Sequence, residues 1–291
     1  MKSLISRNRY LIAVVTFPIA FLLGWVTSST HAAQLASPFT SYKAMRPQSS
    51  AQAATPALVA TPTSQATQIS INPLMKVVVN GRTYDAYLKA ATKKKQEYQY
   101  SCEFDAAWVV LKTYGFDVSV ARQAEIVGMD KSRQPYYKET KQGAVIYGGN
   151  VTTAFSGDYK KNFLARSTGA AMRKVFEYYG LKVTPVNSRT GIEAALLRGE
   201  LVWIKTTVDF KAWRPATWVM PDGRSYKTVL GNDHAAVVIG FNNTGVVIRD
   251  VLGPTSTNRQ RRYEYEVTWP KFLAAWGAQQ NDGLAVAPLS R

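Results

Sequence analysis

The chain of 291 residues holds a single cysteine, Cys102, and two histidines, His31 and His234. Cys102 follows Gln96-Glu97-Tyr98-Gln99-Tyr100-Ser101 and directly precedes a stretch with helical spacing, while His234 opens the apolar run Ala235-Ala236-Val237-Val238-Ile239-Gly240-Phe241. Brought together, a thiol and an imidazole do nucleophilic chemistry: the ring takes the thiol proton and the sulfur attacks a carbonyl carbon. A cysteine at a helix start also meets unpaired backbone N–H groups and the positive end of the helix dipole. The position therefore predicts an acidified thiol. Gln96 lies a short way upstream, where its amide can join the Cys102 N–H in holding a developing oxyanion, with Gln99 as a rival for that place. Asp250 interrupts the apolar run Val246-Val247-Ile248 and can orient the imidazole by accepting its second N–H, with Asp233 and Asn232 as rivals. Each residue alone has a plainer explanation, a small buried hydrophobe for Cys102 and a hydrogen-bonded core histidine for His234.

Elements of known handedness and period must carry these groups. Ala107, Val110, Leu111 and Tyr114 recur at helical spacing before Gly115, so Cys102 is expected at the start of a helix ended by a left-handed glycine. Further helices are expected over Val120 to Val127, Thr168 to Tyr179 and Thr190 to Arg198, each followed by glycine, and one from Thr268-Trp269-Pro270 to Trp276. Strands are expected over Leu181 to Val186, Leu201 to Val208, His234 to Phe241, Val246 to Val251, Arg262 to Val267 and Leu284 to Ala287. Asn80-Gly81 marks a two-residue hairpin turn, and Met129 to Ala165, without clear period, reads as surface loops. Helices dominate the first part and strands the second, which argues for an α+β fold. His234 and Asp250 must also share one face of their hairpin. Side chains alternate along strands, so a regular two- or four-residue loop would point them apart; an odd loop ending at Gly245, or a bulge, is required.

Organisation along the chain is uneven. Lys2, Arg7 and Arg9 precede the uncharged apolar stretch Tyr10 to Val26 and the small residues up to Ala33, so residues 1–33 read as a signal peptide or an N-terminal anchor. Residues 34–74, rich in Ala, Ser, Thr, Pro and Gln, read as a disordered spacer, and residues 75–291 as one folded domain. The expected location is secreted or cell-surface. A formal charge of +17 favours anionic surroundings such as wall polymers or membrane surfaces. Export and the absence of any zinc-finger, basic-zipper or RNA-binding signature speak against nucleic acid as a partner. One cysteine forbids an intramolecular disulfide, and so few soft ligands make a typical zinc site improbable; no cofactor is expected.

Together, Gln96, Cys102-Glu103, the helix ending at Tyr114-Gly115, the Gly148-Gly149-Asn150 loop, the His234 to Phe241 segment and Asp250 resemble the bacterial double-glycine-peptidase-like family of papain-clan cysteine peptidases. The resemblance runs from about Gln96 to Ala287. It implies a papain-like α+β fold, with a helical N-terminal part bearing the cysteine and an antiparallel C-terminal sheet bearing the histidine. It further implies Cys102 as nucleophile, His234 as general base and acid, Asp250 as orienter and Gln96 in the oxyanion hole. The chain departs from the family pattern at Asp250-Val251, where Asp-Pro is common, and at Phe104-Asp105, where small residues are usual. The function expected is an exported thiol peptidase acting on peptide or protein, with cell-wall peptide among the candidate substrates. Two alternatives stand beside it. One is a wall-acting amidase or endopeptidase, or a transglutaminase-like acyltransferase, and the other is a silent binding module that presents Trp203, Trp213 and Trp218 to wall glycans or polyanions.

Overall fold

The computed structural model describes residues 76–289, so the proposed signal peptide and spacer lie outside the described residues. The chain enters through a hairpin, β1 (Val77–Val79) and β2 (Arg82–Tyr84), and the short β3 (Ala86–Tyr87). Asn80 and Gly81 both have positive φ, as a two-residue turn that follows the strand twist requires. Helices α1 (Cys102–Thr113) and α2 (Val120–Val127) follow. After them come β4 (Met129–Asp130), β5 (Tyr136–Thr140), β6 (Gly143–Tyr147) and β7 (Phe155–Ser156). Next are α3 (Gly169–Tyr178), β8 (Leu181–Val186), α4 (Arg189–Leu197), β9 (Leu201–Thr207), β10 (Pro215–Val219) and β11 (Ser225–Val229). The last are β12 (Asp233–Phe241), β13 (Gly245–Arg249), β14 (Glu264–Thr268), α5 (Trp269–Gly277) and β15 (Gly283–Pro288).

A seven-stranded sheet organises the molecule, in the order β14-β13-β12-β9-β15-β8, with β3 paired to β12 beyond the end of β9. Every pairing in it is antiparallel. Strands β9 and β12 are buried almost along their whole length, because helices pack against them and leave neither strand a solvated side. Their continuous apolar sequences follow from that double burial. Helix α1 carries the core against them through Phe104, Ala106, Ala107, Val109, Val110 and Leu111, all at most 1% exposed. Burial of each larger side chain stabilises by roughly 1.5–3 kcal/mol.

Helix ends fall where the glycines stand. Gly115, at φ 96°, donates to Lys112 O, and the Phe116 N–H donates to Leu111 O; this double closure satisfies the last carbonyls of α1. Gly199 and the following Glu200 N–H close α4 in the same way on Leu196 O and Ala195 O.

Two expectations need correction. Met129 to Ala165 is not all loop: it contains β4 to β7, and β5 and β6 join β10 and β11 in a four-stranded sheet of order β11-β10-β6-β5. All of β5 is exposed, so no apolar alternation betrays it, and β6 is recruited by parallel pairing to β10, far along the chain. The helices, moreover, are interleaved with the strands rather than collected before them. Helix α4 connects β8 to β9, which lie parallel on either side of β15, and α5 connects β14 to β15. The architecture is mixed α/β. Among the described residues no helix is long and apolar enough to cross a membrane.

Candidate active site

A groove of about 740 Å³ opens beside the start of α1, and Gln96, Cys102, Phe163, Trp213, His234 and Pro254 are among the residues that line it. The fold thus brings three of the four residues read from the sequence to one surface, and the fourth, Asp250, lies directly behind His234. Cys102 is the first residue of α1 and is buried. Its Sγ donates to Glu103 Oε2 at 3.2 Å, so the thiol points at the neighbouring carboxylate and not at the imidazole. The expected acidification is not what this arrangement gives. Burial pushes the thiol pKa well up, the Glu103 carboxylate adds to that, and Lys205 opposes it.

His234 Nε2 lies 2.9 Å from Asp250 Oδ1. With Nε2 held there, Nδ1 is the ring nitrogen left to take a proton from the thiol. Asp250 is fully buried and collects four donors: His234 Nε2 and the Leu252 N–H at 2.8 Å on Oδ1, Arg261 Nη2 and the Tyr265 hydroxyl on Oδ2. Burial alone would raise the carboxyl pKa; the imidazole, Arg261 and the Leu252 amide outweigh it and hold it well below the ordinary carboxylate range. The rivals have other work. Asp233 turns to Lys205 and Gln279, and Asn232 occupies a left-handed corner at φ 58°.

The parity required of the hairpin is met in a way the loop does not announce. Asn242 and Gly245 close a short even turn through the Asn242 N–H and Gly245 O, not the odd loop expected. A bulge compensates. Val238 faces Ile248, but Gly240 faces Val247, so Ile239 is the extra residue on its strand. Beyond the bulge the register is shifted by one, which puts Asp250 on the face that carries His234. A glycine is needed beside the bulge for a steric reason: a Cβ at Gly240 would meet Ala86 O at 2.8 Å, where β3 pairs with this strand.

The loop bearing Gln96 is fastened to α1 by Asp105. This buried carboxylate accepts the Glu97 N–H at 3.2 Å and the Ser101 hydroxyl at 2.5 Å, and pairs with Lys93 at 2.5 Å. Gln96 Nε2 makes long contacts of 3.3 and 3.4 Å to the carbonyls of Tyr98 and Gln99, so its amide stays at the groove wall without a strong competing partner. Gln99 lines the same groove. Thr255 and Thr257 also line the groove, and their hydroxyls donate to one oxygen of Asp209, whose Oδ1 accepts from Arg261 Nη1 at 2.9 Å. One guanidinium therefore ties the imidazole's partner to the loop that edges the groove. Asp209 and Phe210 both take left-handed φ, at 59° and 50°, a strain of order 1 kcal/mol each that collects beside the site.

The sequence assigned no site role to Asp105, Lys205 or Arg261, and Glu103 entered only as part of the Cys102-Glu103 pattern. Lys205 had a visible signal, a lysine inside the apolar strand Leu201-Val202-Trp203-Ile204. Arg261 had none, since it lies in a basic, irregular stretch. Among the described residues no group of His, Cys, Asp and Glu is arranged to hold a metal ion.

The Peptidase_C39 like family matches residues 87–284. The chain belongs to that family. No curated protein matches the sequence. Among solved structures, a putative C39-like peptidase from Bacillus anthracis superposes with a TM-score of 0.53 at 17% identity, over 75% of this chain and 100% of that one. The peptidase domain of Streptococcus ComA, a bi-functional ABC transporter involved in a quorum sensing pathway, is similar at a TM-score of 0.37 and 14% identity, over 69% of this chain and 99% of that one. The fold is that of C39-like peptidases, and the family indicates a peptide or protein substrate.

Proposed function

We propose that this chain is a cysteine peptidase that cleaves by acyl transfer through a thioester on Cys102. The observation that carries the reading is the His234–Asp250 pair standing behind a groove that Cys102 and Gln96 also line. In this mechanism the thiol leaves Glu103 by rotation about its Cα–Cβ bond and gives its proton to His234 Nδ1 as sulfur attacks the scissile carbonyl. The Cys102 N–H and the Gln96 amide receive the oxyanion. His234 then returns the proton to the leaving amine, and a water deprotonated by His234 cleaves the thioester. Asp250 keeps Nε2 protonated and the ring in place throughout. Burial, and then Glu103, disfavour a resting thiolate, so the thiol proton is handed over as the side chain turns from Glu103 to the ring.

The alternative of a silent binding module loses two of its three rings. Trp203 and Trp218 are fully buried, with their N–H groups on Glu103 O and Gly149 O, and only Trp213 of the three lines the groove. Action outside the cytoplasm, with cell-wall peptide among the substrates, is part of the proposal; it rests on the basic and apolar leader and on the charge of +17.

Incubation of wild type and Cys102→Ala with proteome-derived peptides and with purified peptidoglycan, followed by mass spectrometry of the products, tests the reading. New termini made by wild type alone are expected, and their identity separates a peptidase from a wall amidase. The same products from both proteins, or none from either, would overturn it.

A further inference from the structure

Strand β9 is buried at all seven of its positions, yet it carries a lysine near its end. The Lys205 ammonium lies 2.6 Å from Glu103 Oε1 and 2.6 Å from Asp233 Oδ2. Those two acids are the immediate neighbours of the reacting pair. Glu103 follows Cys102 in α1, and its second oxygen receives the thiol. Asp233 precedes His234 in β12 and, by strand alternation, turns to the Lys205 side while His234 turns to Asp250. We propose that Lys205 is a positioning residue that joins the helix start bearing the nucleophile to the strand start bearing the base and sets the charge felt by the Cys102 thiol. The inference rests on the peptidase reading for its functional meaning, not for its geometry.

Elementary electrostatics gives the proposal its direction. Two carboxylates beside a buried thiol resist formation of a thiolate, and a cation between them relieves that resistance. Burial disfavours the Lys205 ammonium, but Asp233 and Glu103 outweigh it and keep the amine charged. A second buried cation, Arg166, also acts on Asp233 and Glu103, from farther away. Arg166 reaches Asp233 only at 4.0 Å and spends its Nη1 on Thr228 and Val229 O. Tyr226, whose pKa burial pushes up to about 12, and Asp282, whose carboxyl burial also raises, face the cluster without adding a cation. Gln279 Nε2 satisfies the other oxygen of Asp233 at 2.7 Å. Apart from Lys205, the partners shown for Glu103's carboxylate are the Ser167 N–H, at 3.3 Å, and the thiol itself. Loss of the ammonium would leave Glu103 to hold the thiol proton more tightly.

Cys102 is the only cysteine, so the pH dependence of iodoacetamide alkylation reports its ionisation alone. In Lys205→Met the alkylation midpoint should rise by about 1–3 pH units, whereas in Glu103→Gln it should fall. Lys205→Arg, which keeps the charge, should hold the midpoint near that of wild type. If Lys205→Met fails to fold, the double variant Glu103→Gln/Lys205→Met removes one charge of each sign together, and its midpoint should lie above that of Glu103→Gln alone. A merely structural lysine would change stability without moving midpoints in opposite directions. An unchanged midpoint in folded Lys205→Met, or coincident midpoints for Glu103→Gln and the double variant, would overturn the inference. Peptide cleavage is measured separately. Opposed shifts in a protein that cleaves nothing would leave the assignment of charge to Lys205 standing and remove the peptidase reading, and cleavage without the shifts would do the reverse.

Discussion

His234 and Asp250 meet at 2.9 Å because Ile239 is bulged out of the pairing between their two strands. Without that extra residue the even turn at Asn242 to Gly245 would put the carboxylate on the opposite face of the sheet. The bulge also marks where β9 ends and β3 takes over as neighbour of β12, so the same strand changes partner and phase within a few residues. Asp250 gains its remaining donors from Arg261, Tyr265 and Leu252 only after that turn of phase.

Asp250→Asn should leave the protein folded, since the amide oxygen can still accept from Arg261 and Tyr265 while the NH2 group turns to the His234 ring. Turnover on a cleaved peptide should drop by about 10²–10⁴, because the side chain no longer stabilises the imidazolium and the ring's tautomer is no longer enforced. Steady-state kcat at saturating peptide checks it; a loss under tenfold would remove Asp250 from the mechanism.

Acid should weaken the fold through the same residue. The folded Asp250 carboxyl is held well below the ordinary range, so its ionised form contributes stability fully present above the unfolded carboxylate value of about 4 and lost as pH falls toward the folded value. Urea midpoints recorded between about pH 6 and pH 2 should therefore fall more steeply for wild type than for Asp250→Asn. Parallel curves would show that the carboxylate has no net preference for the folded state.

Gln96 separates chemistry from nucleophile reactivity. Gln96→Ala should alkylate at Cys102 as wild type does, while peptide turnover falls by roughly 10²–10³ through loss of an oxyanion donor. If Gln99→Ala shows the loss and Gln96→Ala does not, the rival amide holds the role.

Gly240→Ala tests the bulge itself. The added methyl would press on Ala86 O and Tyr87, and either β3 or the bulge must move. A loss of about 1–3 kcal/mol in urea unfolding is expected, accompanied by reduced turnover as the Asp250 side chain shifts. Full stability with full activity would mean that β3 yields freely and does not brace the bulge.

Scarcity made the candidate nucleophile and base legible in the sequence: one cysteine, and two histidines of which His31 falls in the stretch read as a signal peptide or anchor. Local rules then served well, because a left-handed glycine ends a helix wherever it falls, and Gly115, Gly180 and Gly199 do so here. Strands β9, β12 and β13 were legible for a similar reason, as apolar runs long enough to name themselves. What depended on distant partners was hidden. The exposed β5 shows no alternation, and β6 gains its place by pairing with β10; neither fact resides in Met129 to Ala165 alone. Asp250 was a fair candidate by composition, but whether it could reach His234 hung on a single unpaired residue that no loop-length rule foretells. The acidity of Cys102 was misjudged for the same physical reason. A helix start is a local property that favours thiolate, whereas burial, the largest cause here, and the charge of Glu103, opposed by Lys205 from a strand far along the chain, are properties of the packed site.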